Sequence, residues 1–350
     1  MRAAAPPQGS NSAPLGGSAA AKPQAWGEHA SAERPRGEPQ ASAGNRPRAV
    51  VFAYHNVGDR CLRVLLAHGV DVPLVVTHAD DPAEARWFAR VADVAAELGL
   101  PCIAPADVNA PDVVDRIAAL APDFLFSFYC RRMLKPSLVA LARRGALNMH
   151  GSLLPFYRGR APVNWAVLHG ERHTGATLHH LADKPDAGDI VAQQRVPILP
   201  DDTAREVFDK VTVAAEICLD AALPGLFAGT APRIRNDIAR GSYFGRRTPE
   251  DGRIDWRKPA VDIHNLVRAV APPYPGAHTS IGGVPSRVLK TRVLDAHAPP
   301  AAPALSTGDR LIARCGGGGA LAIDALEIEG RIATPHDVRQ RFGVADLPLD

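Results

Sequence analysis

Cysteine is sparse and scattered in this chain. The five thiols, Cys61, Cys102, Cys130, Cys218 and Cys315, include no Cys-x-x-Cys pair, which indicates neither a disulfide framework nor a thiolate metal site and suits reduced, cytosolic residues. No apolar run long enough to cross a bilayer stands out. The N-terminal stretch has no apolar core of the kind a secretory signal carries, so the expected location is cytoplasmic. No Gly-x-Gly-x-x-Gly follows the first apolar strand, which leaves a dinucleotide site unsupported. The pair His179-His180 suggests a metal at first sight, but successive strand residues point to opposite faces, and no metal is expected.

Charge of either sign is not in excess. The formal net charge is +3. Residues 1–48 hold six of the 40 Lys and Arg and three of the 37 Asp and Glu, which leaves 34 of each sign for the body. A neutral body with no Lys/Arg-rich run argues against a nucleic-acid partner, since the grip on phosphates needs a basic face. Residues 1–47 are mostly Ala, Pro, Gly, Ser and Gln without periodic apolar positions. That composition predicts a disordered low-complexity tail.

The whole chain, at 350 residues with 46% hydrophobic content, is enough for a large core and two domains. Apolar strands alternate with helical patterns: strands over 49–54, 74–77, 124–128 and 145–150, and helices over 60–68, 83–98 and 113–120. This alternation predicts an α/β fold with a Rossmann-like, mostly parallel sheet covered on both sides. A strand pair over 175–181 and 190–198 follows, then a long helix from Ala204 to about Ala222 with Asp202 as its cap. After Pro232 the segments become short, β-rich and separated by Gly or Pro, around one helix over 261–270. The run Gly316-Gly317-Gly318-Gly319 reads as a flexible hairpin rather than a phosphate cradle. The expected organisation is a catalytic domain over 48–232, a linker over 233–248 and a C-terminal domain over 249–350.

The chemistry concentrates in Asn148-Met149-His150-Gly151-Ser152-Leu153-Leu154-Pro155, followed by Tyr157-Arg158-Gly159-Arg160-Ala161-Pro162 and later by Asp186-Ala187-Gly188-Asp189. Asn148 and His150 are two apart on a strand and leave the same face, at the carboxyl end where open α/β sheets place their ligands. An amide donor, an imidazole and a carboxylate can hold an oxyanion and move a proton in acyl transfer. A carboxylate nearby favours the charged form of an imidazole, and Asp186 fits that role. Ser152 reads either as support for His150 or as a backbone cap.

The pattern Asn-x-His-x-Ser-Leu-Leu-Pro-x-Tyr-Arg-Gly with a downstream Asp-Ala-Gly resembles the formyltransferases that use 10-formyltetrahydrofolate. The resemblance runs from about Arg48 to beyond Gly276. It includes Val51-Phe52-Ala53-Tyr54-His55, Phe126-Ser127-Phe128-Tyr129 and Phe244-Gly245-Arg246-Arg247-Thr248-Pro249. Within the family the likeness is greatest to the branch that formylates UDP-4-amino-4-deoxy-L-arabinose in lipid A modification. It implies catalytic roles for Asn148, His150 and Asp186, and a folate site at Arg132, Met133, Leu134, Arg160 and the loop Ala182-Asp183-Lys184-Pro185-Asp186. It also implies an OB-like β-barrel as the C-terminal domain, with 10-formyltetrahydrofolate as co-substrate. In bifunctional relatives a decarboxylase domain follows, so a separately encoded UDP-glucuronate decarboxylase is the implied partner.

Arg158 and Arg160 both suit a phosphate or carboxylate, and the sequence does not choose which meets the nucleotide. Phe244 to Arg247 reads equally as a closure over the nucleotide and as a domain contact. The runner-up, methionyl-tRNA formyltransferase, has Gly-Thr-Pro-x-Phe-Ala after its first strand, where this chain has Ala53-Tyr54-His55-Asn56-Val57-Gly58. The loop His78-Ala79-Asp80-Asp81-Pro82 is acidic where tRNA would call for positive charge. A non-catalytic nucleotide-sugar-binding scaffold is the reading from another class, and the intact Asn148, His150 and Asp186 argue against it.

Overall fold

A computed structural model describes residues 46–80, 86–343 and 346–349. Most of the expected tail, residues 83–85 of the helix expected over 83–98 and the end of the acidic loop lie outside these residues; residues 86–90 are irregular, so that helix is shorter than expected and begins at Val91. The order of elements begins β1 (Arg48–Ala53), α1 (His55–Ala67), β2 (Asp71–Val76), α2 (Val91–Glu97), β3 (Cys102–Ile103), α3 (Pro111–Ala119) and β4 (Phe124–Phe128). It continues with α4 (Pro136–Val139), β5 (Gly145–His150), β6 (Arg158–Gly159), α5 (Pro162–Leu168), β7 (His173–His180), β8 (Ile190–Pro197) and α6 (Ala204–Ala228).

The first sheet has the order β3-β2-β1-β4-β5-β7-β8, parallel through β5, with β7 and β8 antiparallel. Its central strands β1 and β4 are largely apolar because both faces are covered. Ala49, Val51 and Ala53 of β1 enter the core formed with α1 and α6. Val50 and Phe52 enter the opposite core with Val113 and Ile117 of α3. The period of two along one strand thus builds two cores. The chain runs outward from β1 through β2 to β3, then returns to β4 on the other side of β1. This reversal opens a crevice beyond the carboxyl ends of β1 and β4.

The N-cap of α6 is Thr203 and not Asp202. Its hydroxyl accepts from the Glu206 backbone while Glu206 accepts from the Thr203 backbone at 2.7 Å, a reciprocal capping box. Asp202 instead accepts from the Leu199 amide and from Lys210. By length and composition α6 is apolar enough to cross a membrane, contrary to the reading of the sequence, and half of that stretch is buried inside the protein. Its apolar residues, such as Val207, Val211 and Leu219, pack into the core beside the sheet.

After β9 (Tyr243–Phe244), which pairs with β6, comes α7 (Ala260–Val270). The remaining elements are β10 (Ala277–Ile281), β11 (Val284–Asp295), β12 (Ala304–Thr307), β13 (Leu311–Arg314), β14 (Ala320–Ile328), β15 (Arg331–Ala333), α8 (Pro335–Phe342) and β16 (Asp346–Pro348). They form an antiparallel sheet of order β10-β11-β14-β13-β12-β16, whose two edges meet through a bridge between Ile281 and Leu349. The curled sheet encloses a core around the fully buried Trp256, whose indole N–H donates to Thr279 at 2.8 Å. The four-glycine run is not loose. The amides of Gly316, Gly317, Gly318 and Gly319 donate to Trp256, Lys258, Cys315 and Ala298. A Cβ on Gly317 would meet the Pro259 nitrogen at 2.5 Å, so glycine is needed for this close approach.

Candidate active site

The end of β5 presents Asn148 and His150, and its antiparallel neighbour β7 places His179 opposite Asn148. The loop between β7 and β8 brings in Asp186, whose backbone is left-handed at φ +49°. This carboxylate is fixed from several directions. Its Oδ2 accepts from the Gly159 amide at 2.9 Å, and its backbone carbonyl accepts from Asn236 at 3.0 Å. Its Oδ1 lies 3.5 Å from His150 Nδ1, 3.6 Å from His179 Nε2 and 3.4 Å from Asn148 Nδ2. These are electrostatic contacts, slightly long for strong hydrogen bonds.

Backbone carbonyls set both rings. A carbonyl can only accept, so His150 Nε2–H donates to Tyr157 O at 2.8 Å, which turns Nδ1 toward Asp186. His179 Nδ1–H donates to His180 O at 2.8 Å, leaving Nε2 beside Asn148 Nδ2 at 3.1 Å. Burial raises the Asp186 carboxyl, but His150, His179 and the Gly159 amide outweigh it and hold it well below the usual carboxylate range. Asp186 is therefore an anion throughout the physiological range.

A cavity of about 970 Å³ opens over these side chains. Of the residues named from the sequence, Asn148, His150 and Asp186 line it, together with Arg132, Met133, Leu134, Arg160, Ala182 and Pro185. Asp183 and Lys184 are exposed and lie outside the lining. Arg158 also lies outside, with its guanidinium 5.7 Å over the Tyr243 ring. Ser152 is fully buried and donates to Phe156 O at 2.7 Å, so its hydroxyl ties down the turn after β5. Phe244 stacks between Tyr157 and Trp165, at 5.3 and 5.0 Å. Among the described residues no three His, Cys, Asp or Glu side chains form a group able to hold a metal.

Several lining residues had escaped the sequence reading. His179 had been weighed only as a metal ligand, and the register of β7 on β5 that places it here is a tertiary fact. His55, Trp87, Tyr129, Phe208 and Tyr274 form an aromatic wall, and Arg287 joins it from β11. One signal is visible in the backbone: His55, Tyr129, Tyr157, Ala161 and Asp186, five of the seven non-glycine residues in left-handed backbone among the described residues, line the cavity or touch His150. Strain of this kind persists where surrounding structure holds it, and it gathers at functional sites.

Sequence comparison places this arrangement in a class. The family pattern described as Formyl transferase matches residues 55–223, and Formyl transferase, C-terminal domain, matches residues 246–340. Together they span most of the chain, which belongs to the formyltransferase family and is a formyltransferase.

Among solved structures the chain is similar to the N-formyltransferase from Helicobacter canadensis solved with folinic acid and dTDP-3-aminofucose. The identity is 19% and the TM-score 0.62, over 81% of this chain and 100% of that one. It is also similar to WlaRD, a sugar 3N-formyltransferase solved with dTDP and 5-N-formyl-THF, at 17% identity and TM-score 0.62, over 82% and 100% of the two chains. A sugar N-formyltransferase from Shewanella matches at 20% identity and TM-score 0.53, over 67% of this chain and 92% of that one.

Proposed function

We propose that this protein transfers the formyl group of 10-formyltetrahydrofolate to the 4-amine of a UDP-amino sugar, UDP-4-amino-4-deoxy-L-arabinose, as a step of lipid A modification. The observation that carries the reading is the convergence of Asn148, His150 and Asp186 in one cavity. The similar solved structures that hold folate derivatives, in one case together with a dTDP-amino sugar, support it.

In this reading the amine lone pair forms the new C–N bond at the formyl carbon. The carbonyl electrons move onto oxygen, and Asn148 Nδ2, one N–H of which is held by His179, turns the N–H that rests at 3.4 Å from Asp186 toward that oxyanion. His150 takes the amine proton at Nδ1, the nitrogen left free by the Tyr157 carbonyl. It then returns a proton to N10 of the folate as the C–N10 bond breaks. Asp186 stays ionised and stabilises the imidazolium between the two steps. Arg132, Met133, Leu134, Arg160 and the 182–186 loop hold the folate.

The test is a mass-spectrometric assay of purified protein with 10-formyltetrahydrofolate and either UDP-4-amino-4-deoxy-L-arabinose or methionyl-tRNA. Formylated sugar nucleotide and unmodified tRNA are expected. Formyl-methionyl-tRNA, or no product from either acceptor, would overturn the reading.

A further inference from the structure

The mechanism above engages one side of the cavity. On the other side is the crevice between β1 and β4, where His55 and Tyr129 stand just beyond the strand ends in left-handed backbone, at φ +65° and +60°. His55 lies in a box of rings. It stacks on Phe88 at 4.1 Å between centroids and meets Trp87 and Phe208 edge-on, each at 4.5 Å. Tyr129 joins this box to the catalytic strand: a Cβ on Gly151, the residue after His150, would meet its hydroxyl oxygen at 2.0 Å.

The His55 ring has one defined tautomer. Nδ1 accepts the Asn56 amide at 2.9 Å, so the proton resides on Nε2, which has no partner among the described residues. Burial, aided by Arg131 and Arg205, lowers its pKa to about 3, which makes the ring a neutral donor. His55 lines the cavity, which leaves its Nε2–H available to a ligand, and the neighbouring Tyr129 hydroxyl is buried without a partner among the described residues, while left-handed backbone at both positions is costly. Features of this kind gather at ligand and functional sites. The complementary ligand offers uncharged acceptor atoms and apolar faces to the surrounding rings. A pyranose has both, in its hydroxyls and its C–H faces.

We propose that the ring box around His55 seats the pyranose of the acceptor, with His55 Nε2–H donating to a ring hydroxyl oxygen so that the amine is presented beside His150. The proposal rests on the sugar-amine reading above and adds to it the site that selects the acceptor.

The test titrates UDP-4-amino-4-deoxy-L-arabinose and, in parallel, dTDP-3-aminofucose into folate-free protein, followed by calorimetry and tryptophan fluorescence, with folinic acid as control. His55→Phe keeps the ring and removes the donor. His55→Asn suits left-handed backbone and withdraws the donor from the box. For whichever nucleotide sugar the parent binds, both variants are expected to bind about tenfold or more weakly, with folinic acid affinity within about twofold of the parent as the check on folding. Unchanged sugar affinity in the variants, or a loss that falls equally on folinic acid, overturns the proposal while the sugar-amine reading stands. A parent that binds neither sugar nucleotide overturns both.

Discussion

At the scale of single residues, the site works through what its neighbours do to each group. Among the described residues Asp186 is the one carboxylate within reach of both His150 and His179. Asp186→Asn keeps the shape and removes the charge. Formyl transfer is then expected to fall by about tenfold or more, and an unchanged rate contradicts the pairing. His55 gives a prediction about stability. Its folded pKa of about 3 lies below the ordinary imidazole value of 6.5, so between those values the unfolded ring takes up a proton that the native ring refuses. Stability from this residue is present above pH 6.5 and is lost as pH falls toward 3, by an amount on the order of 4 kcal/mol. Denaturant midpoints measured across that range should fall less in His55→Phe than in the parent. Equal slopes would show that the ring is not held neutral.

At the scale of elements, the long helix α6 is the largest single contributor to the core, and its start depends on the Thr203–Glu206 box. Thr203→Ala is expected to cost about 1 kcal/mol, seen as a lower thermal midpoint with formyl transfer retained. No change in the midpoint would mean that the box adds nothing to the helix. Most elements of the first sheet were legible in the sequence because its strands are buried on both faces and read as apolar runs between helical patterns. The start of α1 was not: His55 begins that helix directly after β1, five residues before the expected Arg60, because the periodicity of Val57, Cys61 and Leu65 is masked by polar neighbours. The cap of α6 was misplaced by one residue, since Asp202 and Thr203 are both good capping types and only the geometry separates them. In the C-terminal part the short strands β12, β15 and β16 were missed, β12 and β16 because they lie among Pro and Ala residues that signal turns, and so was the helix α8, where only the one helix over 261–270 is expected.

At the scale of the molecule, the two groups of elements meet through polar contacts as well as apolar ones. Asn164 donates to Ala269 O at 2.9 Å, His264 contacts Pro200 O at 3.0 Å, and the buried Arg268 donates to Asp202 O at 3.1 Å. Arg268 lies outside the cavity lining, yet α7 leads into Pro273, Tyr274 and Pro275, which line it. Arg268→Ala is therefore expected to lower stability by about 1–3 kcal/mol and to reduce formyl transfer without touching either substrate. Full activity with reduced stability would separate the junction from the site. This coupling was invisible in the sequence, as was the aromatic wall. Periodicity marks which residues are buried, but it does not say which strand ends face one another across a crevice. The three polar residues of the site were readable because two share a strand face and the third follows in a recognisable loop, whereas His179 depended on register.

The most direct test of the account is single-turnover formyl transfer from 10-formyltetrahydrofolate to UDP-4-amino-4-deoxy-L-arabinose by the parent, Asn148→Ala and His150→Ala, with folinic acid affinity measured alongside. The expected result is a fall in rate of roughly two to three orders of magnitude in each variant, with folinic acid binding close to that of the parent. Near-parental rates in both variants would contradict the assignment of the reaction to this constellation.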